Sequence, residues 1–421
     1  MWRRVSVWLT SLGSSAVLIL AGAVGAPAAI SQTHKHHHHH HHAAASVAPF
    51  KAALVEDADT GQVLYAYNAD MPWPPASMAK MMMLLVAEQQ IQAGRFSLND
   101  PVVISPLAAA TGGTGIALRA GQVYPLGELM KAALIRSANN AAVAVGEKIG
   151  GSVPGCVRLM NQEARRLGLT STHYNTVNGL PPTPGHDVDV TDARDLAIVA
   201  RALIHRTDLL RWSSLESCPF DHGEIMLHNT NHLIGHFEGC DGLKTGFTFH
   251  AGFGLTATAK RGDLRLLSVV LGAPSNPERF RQSARLLQWG FDNWTAVTML
   301  RRGQPLPVTV QVASGMRIKP VAGQSVRLLV PKRTASDLHL TYDIPPVING
   351  PLLTGSPLGV VQVREGARVL TTVAALSPLA VGVNDQMIPA TEARAAEGRN
   401  PALDGYPKAV AAVRGAVEGA Q

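Results

Sequence analysis

Two short, mainly apolar runs open the folded part of this chain near Val47. Residues 52–57 and 62–68 read as strands, and Asp59-Thr60-Gly61 between them predicts a hairpin turn. The pattern then changes. Pro74-Pro75-Ala76 breaks the chain, and Met81, Leu84 and Leu85 recur at helical spacing in a segment starting at about Ser77. Further helices are predicted over 126–136, 138–149, 157–167 and 191–204, the last opened by the capping pair Thr191-Asp192. Strand texture returns at 243–248, 252–259 and 264–271, and a closing helix runs from about Pro277 to Trp294. Strands at both ends with helices between them suit an α/β (α+β) sandwich. Its antiparallel sheet is shared by the two ends of segment 47–300 and flanked by helices.

Past Arg301-Arg302-Gly303-Gln304-Pro305 the pattern becomes short, alternating and turn-bounded, at 308–312, 326–330, 338–342 and 360–363. A small all-β domain over 304–382 is predicted. From 383 to 421 the chain is rich in Ala, Glu and Arg without an apolar face, which reads as a poorly ordered tail. At the other end, Met1-Trp2-Arg3-Arg4 precedes an apolar run to about Val24 and small residues at Val24-Gly25-Ala26 or Ala26-Pro27-Ala28. That order reads as a signal peptide over 1–30 and predicts export to the periplasm or cell envelope. The rival reading is an uncleaved anchor, weakened by Thr10, Ser11, Ser14 and Ser15. Residues 31–46 form a linker carrying seven consecutive histidines, His36 to His42. It is either a purification tag or a native tract that binds metal loosely, and is set aside from fold and catalysis.

Composition narrows the picture. The chain has 421 residues, too many for one core, with 46% hydrophobic and 16% charged residues. Net charge is +7, and removing Arg3 and Arg4 with the leader leaves +5. No dense basic run with interleaved aromatics occurs, which argues against nucleic acid. Cys156, Cys218 and Cys240 fit no metal-ligand spacing. They read as small buried apolar residues, with a Cys218–Cys240 bridge the alternative in an oxidising compartment.

Three short motifs carry candidate chemistry. Ser77-Met78-Ala79-Lys80 follows the Pro-Pro break, and positions i and i+3 share a helix face, so hydroxyl and amine can meet. A lysine near another cation and away from water acquires a lowered pKa and can act as base. Ser137-Ala138-Asn139 joins two helix patterns, where plain capping is the competing explanation. A similar triplet, Ser97-Leu98-Asn99, lies in a polar turn and is the weaker choice. Lys244-Thr245-Gly246, followed by Phe247-Thr248, places an ammonium and hydroxyls on one strand, a receptor for a carboxylate. The glycine permits close approach of substrate backbone. Each motif alone is weak, and a surface lysine or an ordinary turn would explain it.

In this order the three match S-x-x-K, S-x-N and K-T-G of penicillin-binding proteins and class A β-lactamases. Asn175-Thr176-Val177-Asn178-Gly179-Leu180 and Leu286-Leu287-Gln288-Trp289-Gly290-Phe291 also resemble the low-molecular-weight D-alanyl-D-alanine carboxypeptidases, from about Val47 to Val381. The resemblance implies a serine peptidase without cofactor or metal, acting on the terminal D-alanine of peptidoglycan pentapeptides and acylated by β-lactams. Ser77 would be the nucleophile, Lys80 its base and Ser137 the relay to the leaving amine, with Lys244 close by. Asn139 would hold the substrate amide and position Lys80, and the backbone N–H groups of Ser77 and Phe247 would form the oxyanion hole. Thr245, Thr248 and Arg279 would receive the terminal carboxylate.

Two features depart from that family. Phe247 stands where histidine is common, and 408–421 offers Ala, Val and Gly rather than an amphipathic membrane face, which argues against membrane attachment. The rivals are a serine β-lactamase, an endopeptidase of crosslinks and a non-catalytic cell-wall binding protein. The first lacks Glu-x-x-Leu-Asn over 155–192, and the last leaves the intact motifs without a purpose.

Overall fold

The computed structural model describes residues 48–181, 187–312 and 315–382. The expected signal peptide, the histidine tract and the tail lie outside the described residues. Strands β1 (Ala52–Asp57) and β2 (Val63–Tyr67) form the predicted hairpin. Strands β3 (Cys240–Thr248), β4 (Gly252–Arg261) and β5 (Leu264–Ala273) complete an antiparallel sheet of order β2-β1-β5-β4-β3. The two chain ends meet where β1 pairs with β5, Leu54 opposite Val269.

Both faces of this sheet are covered, which is why β1 is buried at every position. Leu54, Leu267, Val269 and Leu271 face a large core built by the helices between the strands. Ala53, Val55 and Val270 point the other way, onto Leu286 of the closing helix. Those helices are α1 (Lys80–Gln92), α2 (Leu126–Ile135), α3 (Asn139–Gly150), α4 (Val153–Arg166), α5 (Ala193–Arg206) and α6 (Asn276–Asn293). The expected cap of α5 is in place, Asp192 Oδ1 accepting from the Asp195 N–H. Helix α4 begins four residues before its predicted start, because Ser152 caps it and Pro154 occupies its first turn.

Helix α1 sits at the centre. Every residue from Lys80 to Ala87 is buried, so its pattern is apolar all round rather than one-sided. The chain does not enter this helix at Ser77 as predicted: Ala76–Ala79 forms a 3₁₀ turn, and the α-helix starts at Lys80.

Among the described residues the C-terminal segment holds short strands and a 3₁₀ turn at Lys332–Asp337. Strand β6 (Trp294–Leu300), which periodicity assigned to the end of the first block, pairs instead with β7 (Val326–Pro331). A four-stranded and a three-stranded sheet follow, closing cores around Val361, Val363 and Val373 and around Val310, Val312 and Ile318. Leu329 of β7 packs with Leu287 and Phe291 of α6. Beside it Arg327 Nη1 bonds Asp57, a carboxylate with no solvent exposure, at 2.7 Å. Cys156 and Cys218 are buried, Cys240 partly so, and all three are free thiols; the 218–240 bridge is not formed. Among the described residues no helix is long and apolar enough to cross a membrane, and no side-chain cluster could hold a metal ion.

Candidate active site

The first motif closes on itself through the 3₁₀ turn. Its tight pitch places Lys80 Nζ 2.8 Å from Ser77 Oγ. The same nitrogen donates to Asn139 Oδ1 at 2.7 Å and to the Asn178 carbonyl at 2.8 Å. Lys80 has no solvent exposure, and burial pulls its pKa down to about 7, with Asp189 opposing the shift. Of the two causes anticipated from sequence, a second cation and exclusion from water, burial is the principal one here.

Asn139 is oriented by its neighbours. Its oxygen takes the lysine, and Nδ2 donates to the Gly112 carbonyl at 2.9 Å. The capping explanation for the second motif fails: Ala138 is the N-cap of α3, and no side chain caps it. Ser137 lies in the left-handed region at φ 63°, and Ala76, directly before Ser77, at φ 49°. Ser137 and the residue that leads into Ser77 therefore sit on backbone that most side chains avoid, a strain held by the surrounding core. Ser97 bonds the Asn99 N–H in its own turn, and neither residue lines the cleft.

The third motif lies on β3, the edge strand of the sheet, whose outward N–H and C=O groups have no sheet partner. Lys244 is buried with Nζ 3.1 Å from the Thr245 carbonyl. Its pKa is held well below the ordinary lysine value, first by burial and then by the Lys80 and Arg279 cations. Gly246 has a reason other than substrate approach. A Cβ there would stand 2.7 Å from the Pro75 carbonyl, so the glycine lets β3 dock on the turn that carries Ser77. Thr245 Oγ1 donates to Thr230 Oγ1 at 2.8 Å, and Thr248 Oγ1 accepts from the Ala251 N–H at 3.0 Å.

Arg279 is 7% exposed and does not line the cleft. Its Nη1 donates to the Gly246 carbonyl at 3.0 Å and reaches that of Gly254 at 3.4 Å, while Phe253 and Phe280 stack against the guanidinium. Burial lowers its pKa to about 10, which leaves it cationic at neutral pH.

Ser77, Asn139, Phe247 and Thr248 line one cleft of about 590 Å³, with Lys80 and Lys244 buried. Its rim is aromatic. Phe247, 42% exposed, stacks on Phe253 at 4.2 Å and meets Phe249, which is 99% exposed.

A nucleophile-sized hydroxyl bonded to a buried amine, on a turn gripped by an edge strand bearing K-T-G, can be compared with known proteins. The D-alanyl-D-alanine carboxypeptidase family profile matches residues 37–275. The chain belongs to this family. The D-alanyl-D-alanine carboxypeptidase DacF of Bacillus subtilis is 32% identical over 326 residues, 76% of this chain and 82% of that protein. Penicillin binding protein 5 of Haemophilus influenzae superposes with a TM-score of 0.64 at 28% identity, covering 79% of this chain and 98% of that one. Penicillin-Binding Protein D2 of Listeria monocytogenes, solved in an ampicillin-bound form, gives 0.51 at 29% identity over 58% of this chain and 97% of its own.

In this carboxypeptidase fold several residues support the motifs without belonging to them. Asp189 accepts from the Asn175 and Thr176 N–H groups and the Thr176 hydroxyl, and so shapes the loop that presents the Asn178 carbonyl to Lys80. Gly179 closes that loop at φ 76°, where a Cβ would strike the Ala76 carbonyl. Thr230 joins Thr245 to the Ile135 carbonyl, two residues before Ser137. The sequence offered a signal for one of these, since Asn178-Gly179 lies within a stretch that resembles the family. Asp189 and Thr230 had none.

Proposed function

We propose that the enzyme removes the terminal D-alanine from peptidoglycan stem peptides through an acyl-enzyme at Ser77. The observation that carries this reading is the 2.8 Å contact between Ser77 Oγ and a fully buried Lys80 whose pKa is near 7. At neutral pH a large fraction of that amine is unprotonated and can take the serine proton.

The alkoxide then attacks the carbonyl between the two D-alanines. Backbone N–H groups of Ser77 and Phe247 receive the developing oxyanion. Ser137 passes a proton to the departing amine, with Lys244 supplying positive charge beside it. The C–N bond breaks, free D-alanine leaves, and water hydrolyses the serine ester. Asn139 holds Lys80 by its oxygen and keeps one amide proton for the substrate carbonyl.

For the terminal carboxylate, Thr248 is the freest hydroxyl, since its oxygen accepts from Ala251 and its proton remains available. Thr245 borders it, and Arg279 contributes charge from behind Gly246. β-Lactams acylate the same serine, a reading supported by the ampicillin-bound Listeria relative. The leader's order of basic, apolar and small residues supports export to the envelope where such a substrate lies.

Incubation with a fluorescent penicillin, beside Ser77→Ala, tests the assignment. A stable covalent label on the unaltered protein and none on the variant is the expected result. Label on both, or on neither, rejects Ser77 as the nucleophile. Release of D-alanine from linear pentapeptide rather than cleavage of crosslinked dimers then separates carboxypeptidase from endopeptidase.

A further inference from the structure

A second cleft, of about 380 Å³, lies where the end of α6 meets β7 and the 3₁₀ turn after it. It takes Trp289, Asp292 and Asn293 from α6, Trp294 from the start of β6, and Lys332 and Arg333 from the turn after β7. Trp289 is 38% exposed, held on one side by the edge of Tyr65 at 6.2 Å. Among the described contacts, neither indole N–H of Trp289 and Trp294 has a partner, and neither Lys332 nor Arg333 is ion-paired. Asp292 engages Gln288 through one carboxylate oxygen only.

Charge along the chain is partitioned to match. Residues 301–382 hold nine Lys and Arg against three Asp and Glu, whereas residues 48–300 hold 21 against 22. The excess therefore sits on the C-terminal block, whose Lys332 and Arg333 close this cleft.

Amphipathic indoles, amide and carboxylate groups and two unpaired cations form a recognisable set. The face of an indole takes the C–H face of a pyranose, while its N–H and the Asp292 and Asn293 side chains can pair with hydroxyl and acetamido groups. The cations suit a carboxylate. Size and position fit as well: ligand sites of a few hundred Å³ favour domain junctions. We propose that this junction cleft binds the glycan strand of the substrate polymer, an amino-sugar chain whose attached stem peptides bear carboxylates. The class of ligand follows from the side chains; its identity as substrate glycan rests on the function proposed above. Tyr65 lies on β2, the sheet edge opposite β3 and about 19 Å from it across four strand spacings, so Trp289 packs at the edge away from the catalytic strand. Holding the glycan there raises the effective concentration of its stem peptides at Ser77.

The test uses the full chain acylated with benzylpenicillin, so that the catalytic cleft is occupied. Titration with a soluble disaccharide-peptide fragment of peptidoglycan should change tryptophan fluorescence saturably, and neutral chitobiose should bind about tenfold more weakly. The double variant Lys332→Glu, Arg333→Glu should lose this response. It should also keep its activity on a free tripeptide ending in D-Ala-D-Ala while losing about tenfold on intact sacculi. No response to the fragment, an equal response in the double variant, or unchanged activity on sacculi overturns the proposal. If penicillin fails to label Ser77, the proposed reaction falls instead, and the titration of the unlabelled protein still decides whether the cleft binds the saccharide.

Discussion

At the scale of single residues, the proposed role of Lys80 as base predicts the pH dependence. An amine can act as base only when neutral, and burial places the transition of Lys80 near pH 7. Acylation should therefore rise as pH increases through about 7 and fall below it as Nζ protonates. Lys80→Arg, which stays protonated, should lower the rate by about 10³-fold or more. Second-order rate constants for a fluorescent penicillin between pH 5.5 and 9 decide the point. A flat profile, or an active arginine variant, removes Lys80 as the base. Burial also explains why this lysine can be held at 2.7–2.8 Å by two oxygens of distant residues, Asn139 Oδ1 and the Asn178 carbonyl. Away from water, a neutral or charged amine alike must be fully hydrogen-bonded.

At the scale of elements, the site is a clamp between the 3₁₀ turn and the edge strand β3. Gly246 and Gly254 face each other in the β3–β4 ladder, and both lie against the turn, the first on Pro75 and the second on Met78. Gly246→Ala forces the strand and the turn apart, because the backbone carbonyl at 2.7 Å cannot swing aside as a side chain would. It should cost about 1–3 kcal/mol of stability and separate the Ser77 N–H from that of Phe247. Measured together, acylation should fall much further than the melting temperature predicts, while circular dichroism stays native. Unaltered acylation would show that the clamp does not set the oxyanion geometry.

For the whole molecule, the two blocks are joined by Leu329 against α6 and by Arg327 against Asp57, with Asp59 and the Asp263 carbonyl also near the guanidinium. Arg327→Ala strands a carboxylate that has no solvent exposure, leaving it only the Thr60 hydroxyl at 2.8 Å and the Asp59 N–H at 3.4 Å. Such a loss costs about 3–5 kcal/mol. Calorimetry should then show the joint transition shift down or split in two, with penicillin labelling of Ser77 retained at low temperature. An unchanged melting curve would mean that the blocks are coupled by the apolar contact alone.

Residue types at short spacing were legible in the chain itself. Ser77 and Lys80 meet across one turn, Lys244 and Thr245 share one strand, and β1 and β5 are short apolar runs bounded by turns. These depend on neighbours within a few positions, where periodicity and turn chemistry speak directly. Other features had no local trace. The carbonyl of Asn178 reaches Lys80 across 98 positions, Thr230 reaches back to Ile135 across 95, and Asp189 is an ordinary loop acid until the loop folds around it. Arg279 entered as a carboxylate receptor only through the family resemblance; its bond to the Gly246 carbonyl is a contact that only the packing of α6 on the sheet supplies. The sequence pattern ends the closing helix at about Trp294 and assigns no strand after it; pairing with β7 is what makes β6 a strand. The sequence determined which groups could do the chemistry; the tertiary structure decided which were buried, and burial is what moves the pKa of Lys80 to where it can work.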